Sequence, residues 1–450
     1  MIPRRGHDEG RPNHGRPNHG RPNHGRRNHW RPNHWRRNQG RRRVLMIVES
    51  LPLARDPRLR RQAEALLADG FAVTVICRAD PANKTCVPGA RVLEYPAPLA
   101  GTGPAAFAAE YLYSVTMAGL LASFELARRG FDFLQVGNPP DIYFLLARPL
   151  RWIGRRVVFD FRDPSPETYA ARYNTAGGLL YRALLRLEWN SFRAADRVLV
   201  VNDSLRQIAR SRGGLDNDQI ATVRAGPAFA RRARGQEVPQ LRAGRAHLCC
   251  WVGLMGPQDS VDLALEAVAE LVHGRGRTDC SFAFVGTGDA LPGLRQQAAD
   301  LGISDYVSFP GWALEGQVLD YLATADLGLE PNTEDYISPV KVMEYMAQGL
   351  PVVAFETKET VRLAGDAARY VPRRDVAAMA ALVDELLDSA PTRAQMGRAG
   401  QLRMRRFIAW EHQATKYRAV YRELDSQRFS ASGPRQRRRN GLTVTHGWGA

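Results

Sequence analysis

The segment Ile337-Ser-Pro-Val-Lys-Val-Met-Glu-Tyr-Met-Ala-Gln-Gly-Leu-Pro-Val-Val-Ala354 holds the residues best spaced for chemistry. Ser338 suits the N-cap of a helix, and Pro339 suits its first position, where a missing N–H costs nothing. Val340, Met343 and Ala347 fall at helical spacing for a core-facing stripe. Gly349 should stop the helix, and Pro351 keeps it from running into the next apolar stretch. A helix start with free N–H groups and the positive end of the dipole is an anion site. Ser338 would add a hydroxyl donor, Lys341 a point charge one turn in, and Glu344 a carboxylate on the same face. Such a trio fits a diphosphate held by Lys341 and the helix end, with Glu344 accepting the hydroxyls of a ribose. The plain alternative is an exposed Lys341–Glu344 ion pair. The chain has four Lys against 59 Arg, so a Lys at this spot runs against its own bias and favours a ligand role.

The elements around this segment alternate. Short, mainly apolar runs at 44–49, 72–77, 131–136, 156–160 and 197–202 read as buried parallel strands. Helical spacing covers 58–69, 105–129 and 179–195. The stretch 107–126 contains Glu110, Tyr111, Tyr113, Ser114 and Glu125. It does not suit a spanning helix and reads as a helix packed on the sheet, with a helix grazing a membrane surface as the lesser alternative. Between 226 and 245 the pattern gives way to Pro, Gly, Arg and Ala, a linker composition. A second series follows, with strands at 247–252, 281–285, 306–309, 325–329 and 352–355 and helices at 260–273 and 291–301. The expected class is α/β: two doubly wound Rossmann-like domains, 44–225 and 246–408, facing a central cleft at the carboxyl ends of their strands. An amphipathic helix over 409–427 closes the body.

Composition bounds the function. The 450 residues carry a formal charge of +17, but the excess is local. Residues 1–43 hold 13 Arg and two acids, residues 428–450 hold five Arg and no acid, and the body between has 45 basic and 44 acidic side chains. A near-neutral body argues against nucleic acid as the main partner. The first tail repeats Arg-Pro-Asn-His-Gly from Arg11, Arg16 and Arg21, and both basic tails read as disordered. The leading reading is a non-essential extension with no chemistry of its own, and electrostatic contact with an anionic membrane or nucleic acid is the alternative. Five Cys without C-x-x-C spacing argue against a zinc ribbon or disulfide framework and fit a reduced, cytoplasmic compartment, with peripheral attachment at the inner face of the plasma membrane.

The 337–354 segment resembles the donor-site signature of family 4 glycosyltransferases, in the subgroup with an S-P-x-K-x-x-E-Y-M-A-x-G-x-P-V-V-A pattern. Asp56-Pro-Arg58, Gly137-Asn-Pro-Pro-Asp141, Asp160-Phe-Arg-Asp-Pro-Ser-Pro-Glu167, Val252-Gly-Leu-Met-Gly-Pro-Gln-Asp259 and Val285-Gly-Thr-Gly-Asp289 agree with it in order. The resemblance covers about residues 43–425. It implies the GT-B fold and retaining transfer of a sugar from a nucleotide sugar, here to a glycan or lipid-linked acceptor in cell-surface polysaccharide biosynthesis. By resemblance, Ser338, Val340, Lys341 and Glu344 bind the donor, and Gly253, Gly256, Gly286 and Gly288 let backbone approach its phosphates.

It further implies that the first domain binds the acceptor through loops at its strand ends. Arg58 and Asn138 are the binding candidates there, with Arg55 and Arg61 beside them, and Asp163 and Glu167 are the catalytic carboxylate candidates. Asp163, which precedes Pro164, reads equally well as a turn organiser. No protein nucleophile, no resident cofactor and no metal are expected, the nucleotide sugar being a co-substrate. Two departures stand out: Tyr336 occupies a place where many relatives carry Glu, and 252–257 lacks basic residues. The alternative reading is a catalytically weak GT-B binding protein docked through its tails on nucleic acid or anionic membrane.

Overall fold

The computed structural model describes residues 41–97, 104–173, 175, 177–229 and 235–430. Most of both tails and part of the expected linker lie outside these residues. Strand and helix order in the first half is β1 (Arg43–Ile47), α1 (Pro57–Ala68), β2 (Ala72–Arg78), β3 (Arg91–Tyr95), α2 (Pro104–Arg128), β4 (Phe133–Gly137), α3 (Phe144–Trp152), β5 (Arg156–Phe161), α4 (Ser165–Tyr173), α5 (Gly178–Ala194), β6 (Arg197–Val200), α6 (Asp203–Gly213) and β7 (Ile220–Thr222). The second half runs β8 (His247–Leu254), α7 (Val261–Ala269), β9 (Cys280–Thr287), α8 (Leu291–Asp300), β10 (Val307–Gly311), α9 (Glu315–Thr324), β11 (Leu327–Glu330), α10 (Val340–Gln348), β12 (Val352–Phe355), α11 (Lys358–Ala364), β13 (Ala368–Val371), α12 (Val376–Asp388), α13 (Ala390–Arg403) and α14 (Trp410–Ser430).

The strands form two parallel sheets, ordered β3-β2-β1-β4-β5-β6-β7 and β10-β9-β8-β11-β12-β13. Each reverses its winding once, between β1 and β4 and between β8 and β11, and such switch points open a crevice at the strand carboxyl ends. This is the α/β, GT-B-like architecture of two doubly wound lobes. Helices cover both faces, so the central strands are apolar throughout: Val44, Leu45, Met46 and Ile47 of β1 are all buried. Local signals place the helix ends. Asp56 caps α1 at the Leu59 N–H (2.9 Å), and Asn202 caps α6 at Leu205 (2.8 Å). Gly349 ends α10 in the left-handed conformation, at φ 79°.

Three elements differ from expectation. Helix α14 continues to Ser430, into the stretch read as tail. The helix after β8 changes at Glu270 into one wider turn ending at Gly274. Helix α2 does bury Ser114, Ala118, Ala122 and Glu125, yet leaves Leu112, Leu120 and Phe124 exposed. No helix among the described residues is long and apolar enough to cross a membrane.

Helix α14 leaves the second sheet and packs on the first. Its Tyr421 ring meets Phe71 and Phe133 edge-on at 5.8 and 5.5 Å. The Tyr417 and Tyr421 hydroxyls both donate to Gln135 Oε1, at 2.7 and 2.6 Å. Gln135 then donates to Gln62 (2.9 Å) and Gln62 to Asp160 (3.1 Å). A satisfied polar chain of this kind, sealed from water, fixes the docking register of the helix.

Candidate active site

The second switch point gathers the 337–354 segment. Strand β8 ends at Leu254 and β11 at Glu330, and α10 starts directly above them. Tyr345 pins α10 to both strands: its hydroxyl donates to the Leu329 carbonyl (3.3 Å) and accepts from the Val252 N–H (3.1 Å). Lys341, in the first turn, is thereby aimed into the crevice. Its Nζ lies 3.2 Å from Asp259 Oδ1, 3.8 Å from Glu330 Oε1 and 4.9 Å from the centre of the Trp251 ring. Burial works against the Lys341 charge, but Glu330 and Asp259 outweigh it and its pKa is raised. Glu330 is itself fully buried, and burial raises its pKa although Lys341 opposes the shift. Glu344 sits half-buried one turn further along α10.

The start of α10 is built differently from the expectation. Pro339, not Ser338, occupies the N-cap, and no side chain caps the helix. The Val340 N–H turns back to the Ser338 carbonyl at 2.8 Å, which takes Ser338 one residue too far out to cap. Val340 is exposed rather than core-facing, while Met343 and Ala347 are buried. The first turn therefore keeps backbone donors with no side-chain acceptor, beside a lysine.

The glycines close the floor of the crevice. Gly253 has φ 154°, and a Cβ there would lie 3.1 Å from the Trp251 ring and 3.3 Å from Lys341 Cε. Gly286 has φ 143°, and a Cβ there would fall 1.8 Å from the Gly253 carbonyl oxygen. At Gly288 the opposing atom is the Met255 carbonyl, at 2.4 Å. Gly256 is less constrained, since a Cβ there meets only the movable end of Gln258.

On the first lobe, Asp163 follows β5. The residue keeps one side exposed, and no hydrogen bond reaches its carboxylate among the described residues. The protein packed around the carboxyl hinders its hydration and raises its pKa against the pull of Arg162 and Arg58, and Asp259 of the other lobe adds to the rise. The two lobes thus bring Asp163 and Asp259 into electrostatic reach. Glu167 is not on a loop: it lies in the first turn of α4, paired with Arg212. Arg212 also reaches Glu188 (3.2 Å), whose complete burial pushes its carboxyl up to about 8.

Arg58 and Asn138, expected at the acceptor, are both engaged by partners within the first lobe. Arg58 is buried, bonded through two nitrogens to Asp160 (3.0 and 2.6 Å) and through a third to the Val223 carbonyl (2.7 Å). Asn138 is also buried. It donates to the Asp163 carbonyl and accepts from the Arg162 N–H (2.6 Å), so it braces the loop that presents Asp163. Of the neighbouring arginines, Arg55 pairs with Asp80 and Arg61 holds the Ala225 and Gly226 carbonyls. Tyr336 packs on the first lobe's core, and its carbonyl accepts from Asn202 (2.8 Å).

Sequence reasoning did not find Asp259, Glu330 or Trp251 as partners of Lys341. An acid ending the apolar run Leu327-Gly-Leu-Glu330 beside a switch point was the available signal. Among the described residues, no group of three or more His, Cys, Asp or Glu converges as metal ligands would.

Comparison with known proteins bears on the family and the fold. A family model described as "Glycosyl transferase 4-like domain" matches residues 56–226, and one described as "Glycosyl transferases group 1" matches 246–389. The MMP alpha-(1->4)-mannosyltransferase of Mycolicibacterium hassiacum is 29% identical over 169 residues, 36% of this chain and 41% of that protein. The chain spans about half the length of the curated relatives it matches. Among solved structures, sucrose-phosphate synthase from Thermosynechococcus elongatus superposes with a TM-score of 0.70 at 18% identity, over 86% of this chain and 100% of that one. Anabaena Alr3699/HepE, solved in complex with UDP-glucose, superposes at 0.65 with 18% identity, over 85% and 99%. These two glycosyltransferase domain matches, in sequence and one on each lobe, support a GT4-type family for the chain.

Proposed function

We propose that this chain is a retaining glycosyltransferase that moves a sugar from a nucleotide-sugar donor to a glycan or lipid-linked acceptor in cell-surface polysaccharide biosynthesis. The observation that carries the reading is Lys341 at the β8/β11 switch point, beside Gly253 and the uncapped start of α10. In this reading Lys341 and the first-turn N–H groups hold the donor diphosphate, with Ser338 beside them, and Glu344 takes the ribose. As the glycosidic bond breaks, negative charge collects on the leaving diphosphate and the sugar becomes oxocarbenium-like. Donors fixed in advance at that point lower the barrier without reorganising. The departing phosphate can accept the acceptor's proton on the same face, which needs no nucleophile from the protein. Asp163, whose carboxylate is uncommitted, then orients the acceptor or steadies the cation. Glu167, tied to Arg212, acts through position rather than by contact.

The UDP-glucose complex of HepE supports a nucleotide sugar as donor, and five unpaired thiols fit a cytoplasmic setting. The two glycosyltransferase domain matches do not favour the tail-docked binding protein. The test is a thermal-shift panel of UDP, GDP, ADP and dTDP sugars, followed by transfer assays on the full chain, Lys341→Ala and Glu344→Gln. A donor present at 100 times its Kd stabilises by about 2.7 kcal/mol. No shift with any donor, and no turnover that the two substitutions abolish, would end the proposal.

A further inference from the structure

Helices α3 and α5 lie side by side on the outer face of the first sheet, joined where Arg148 donates to Asn190 (2.5 Å) and Arg151 to the Arg193 carbonyl (3.2 Å). Their solvent side is unusual in two respects. It exposes large apolar side chains: Leu145 at 55%, Trp152 at 86% and Ile153 at 56% on and just after α3, with Leu179 at 86% opening α5. It is also predominantly cationic. Arg151, Arg182, Arg186 and Arg193 are exposed, Arg151 with its guanidinium 3.3 Å from Asp196, whereas the acids of these two stretches are turned inward, Glu188 at 0% and Asp196 at 9% side-chain exposure.

Helix α2 extends the same surface. It packs against α3 where Gly119 meets Leu146, and it exposes Leu120 and Phe124 with Arg128 over the Phe124 ring (5.3 Å). Its acids are also withdrawn: Glu125 is buried and Glu110 is paired with Arg78.

We propose that this α2–α3–α5 face docks on an anionic phospholipid bilayer, with Trp152 and Ile153 entering the headgroup region and the arginines meeting lipid phosphates. An exposed tryptophan beside arginines is suited to that interface, where a ring with one polar edge is wet on one side and apolar on the other. Each arginine near such a surface adds attraction that salt weakens. Charge selects the occupant. A second copy of the chain would set arginines against arginines across a two-fold axis, whereas an anionic surface complements every exposed charge on the face. The face also leads to the cleft: α4 starts beside Glu167, ends ~9 Å on at Tyr173 (1.5 Å per residue), and Leu179 and Leu180 follow at the entrance to α5. A membrane-held acceptor would thus be presented close to Asp163.

The test is vesicle co-sedimentation with the full chain, so both basic tails are present in every sample. Vesicles of phosphatidylcholine alone are compared with phosphatidylcholine mixed with phosphatidylglycerol. The variants are Trp152→Ser with Ile153→Ser, and Arg182→Glu with Arg186→Glu, all at exposed positions. The expected result is binding to the mixed vesicles only, weakened roughly tenfold or more by either pair, with unchanged Tm and unchanged nucleotide-sugar binding. Wild-type-like binding by both pairs would assign the attraction to the tails and overturn the proposal. So would equal binding to neutral vesicles, or a change of sedimentation coefficient from dimer to monomer without loss of vesicle binding. No donor or acceptor enters this measurement, so its failure is separable from failure of the transfer reaction.

Discussion

Lys341 and Asp259 are joined at 3.2 Å across the mouth of the second crevice, an ammonium and a carboxylate from opposite sides of the β8/β11 switch point. An incoming diphosphate must share or displace that carboxylate. Asp259→Asn removes the competing charge while keeping the side chain's shape. Nucleoside diphosphate affinity is expected to rise roughly tenfold, read by titration calorimetry at fixed ionic strength. Weaker binding would mean that Asp259 holds Lys341 in place rather than contests the ligand.

Lys341→Ala is expected to cost about 100-fold or more in transfer rate, from the loss of charge at the leaving group. It also leaves Glu330 buried without its cation, which should cost on the order of 3 kcal/mol in urea unfolding. Adding Glu330→Gln to Lys341→Ala should return most of the stability and none of the turnover. Recovery of both together would show that Lys341 matters only for folding.

Gly286→Ala tests the floor of the crevice. The new Cβ would have to occupy a point 1.8 Å from the Gly253 carbonyl oxygen, at a backbone φ of 143° that side chains rarely adopt. The expected loss is about 4 kcal/mol or more, measured by denaturant unfolding, while the analogous Gly293→Ala, with open space around it, should be near neutral.

The pH dependence of stability should carry the mark of Glu188. Burial raises its carboxyl to about 8, well above its value in the unfolded chain. Between those two values the folded state holds a proton that the unfolded state has lost, so stability falls as pH rises through that interval. Glu188→Gln keeps a neutral amide in place and removes the dependence. Its Tm should exceed wild type at pH 8 and match it near pH 4. Parallel Tm curves from pH 4 to 8 would show that the Arg212 pairing keeps Glu188 ionised throughout.

Much of the architecture was legible one segment at a time. A strand covered on both faces must be apolar along its whole length, so β1, β2, β4, β5, β8, β9 and β12 announce themselves. Edge strands carry no such demand. β3 and β13, at the margins of the sheets, escaped notice for that reason, as did the short β7. Helix α10 was readable from its Gly349 stop and Pro351, but its first turn was misjudged at Ser338 and Val340, because a cap depends on dihedral angles that residue preferences do not determine.

What the sequence alone determined was the type of the elements with a strong apolar pattern, the parallel winding and the presence of a lysine–glutamate pair at a helix start. Only the tertiary structure decided who meets whom. Arg58 and Asn138 have the chemistry of a binding site, yet folding spends them on Asp160 and on the loop before Asp163. Asp259 has no local signature and Glu330 only its place at the end of an apolar run, yet both surround Lys341. The physical reason is that charge pairing acts through space. Residues 82 and 102 positions apart become neighbours once the strands stack, and a side chain's partner is set by that stacking rather than by its place in the chain.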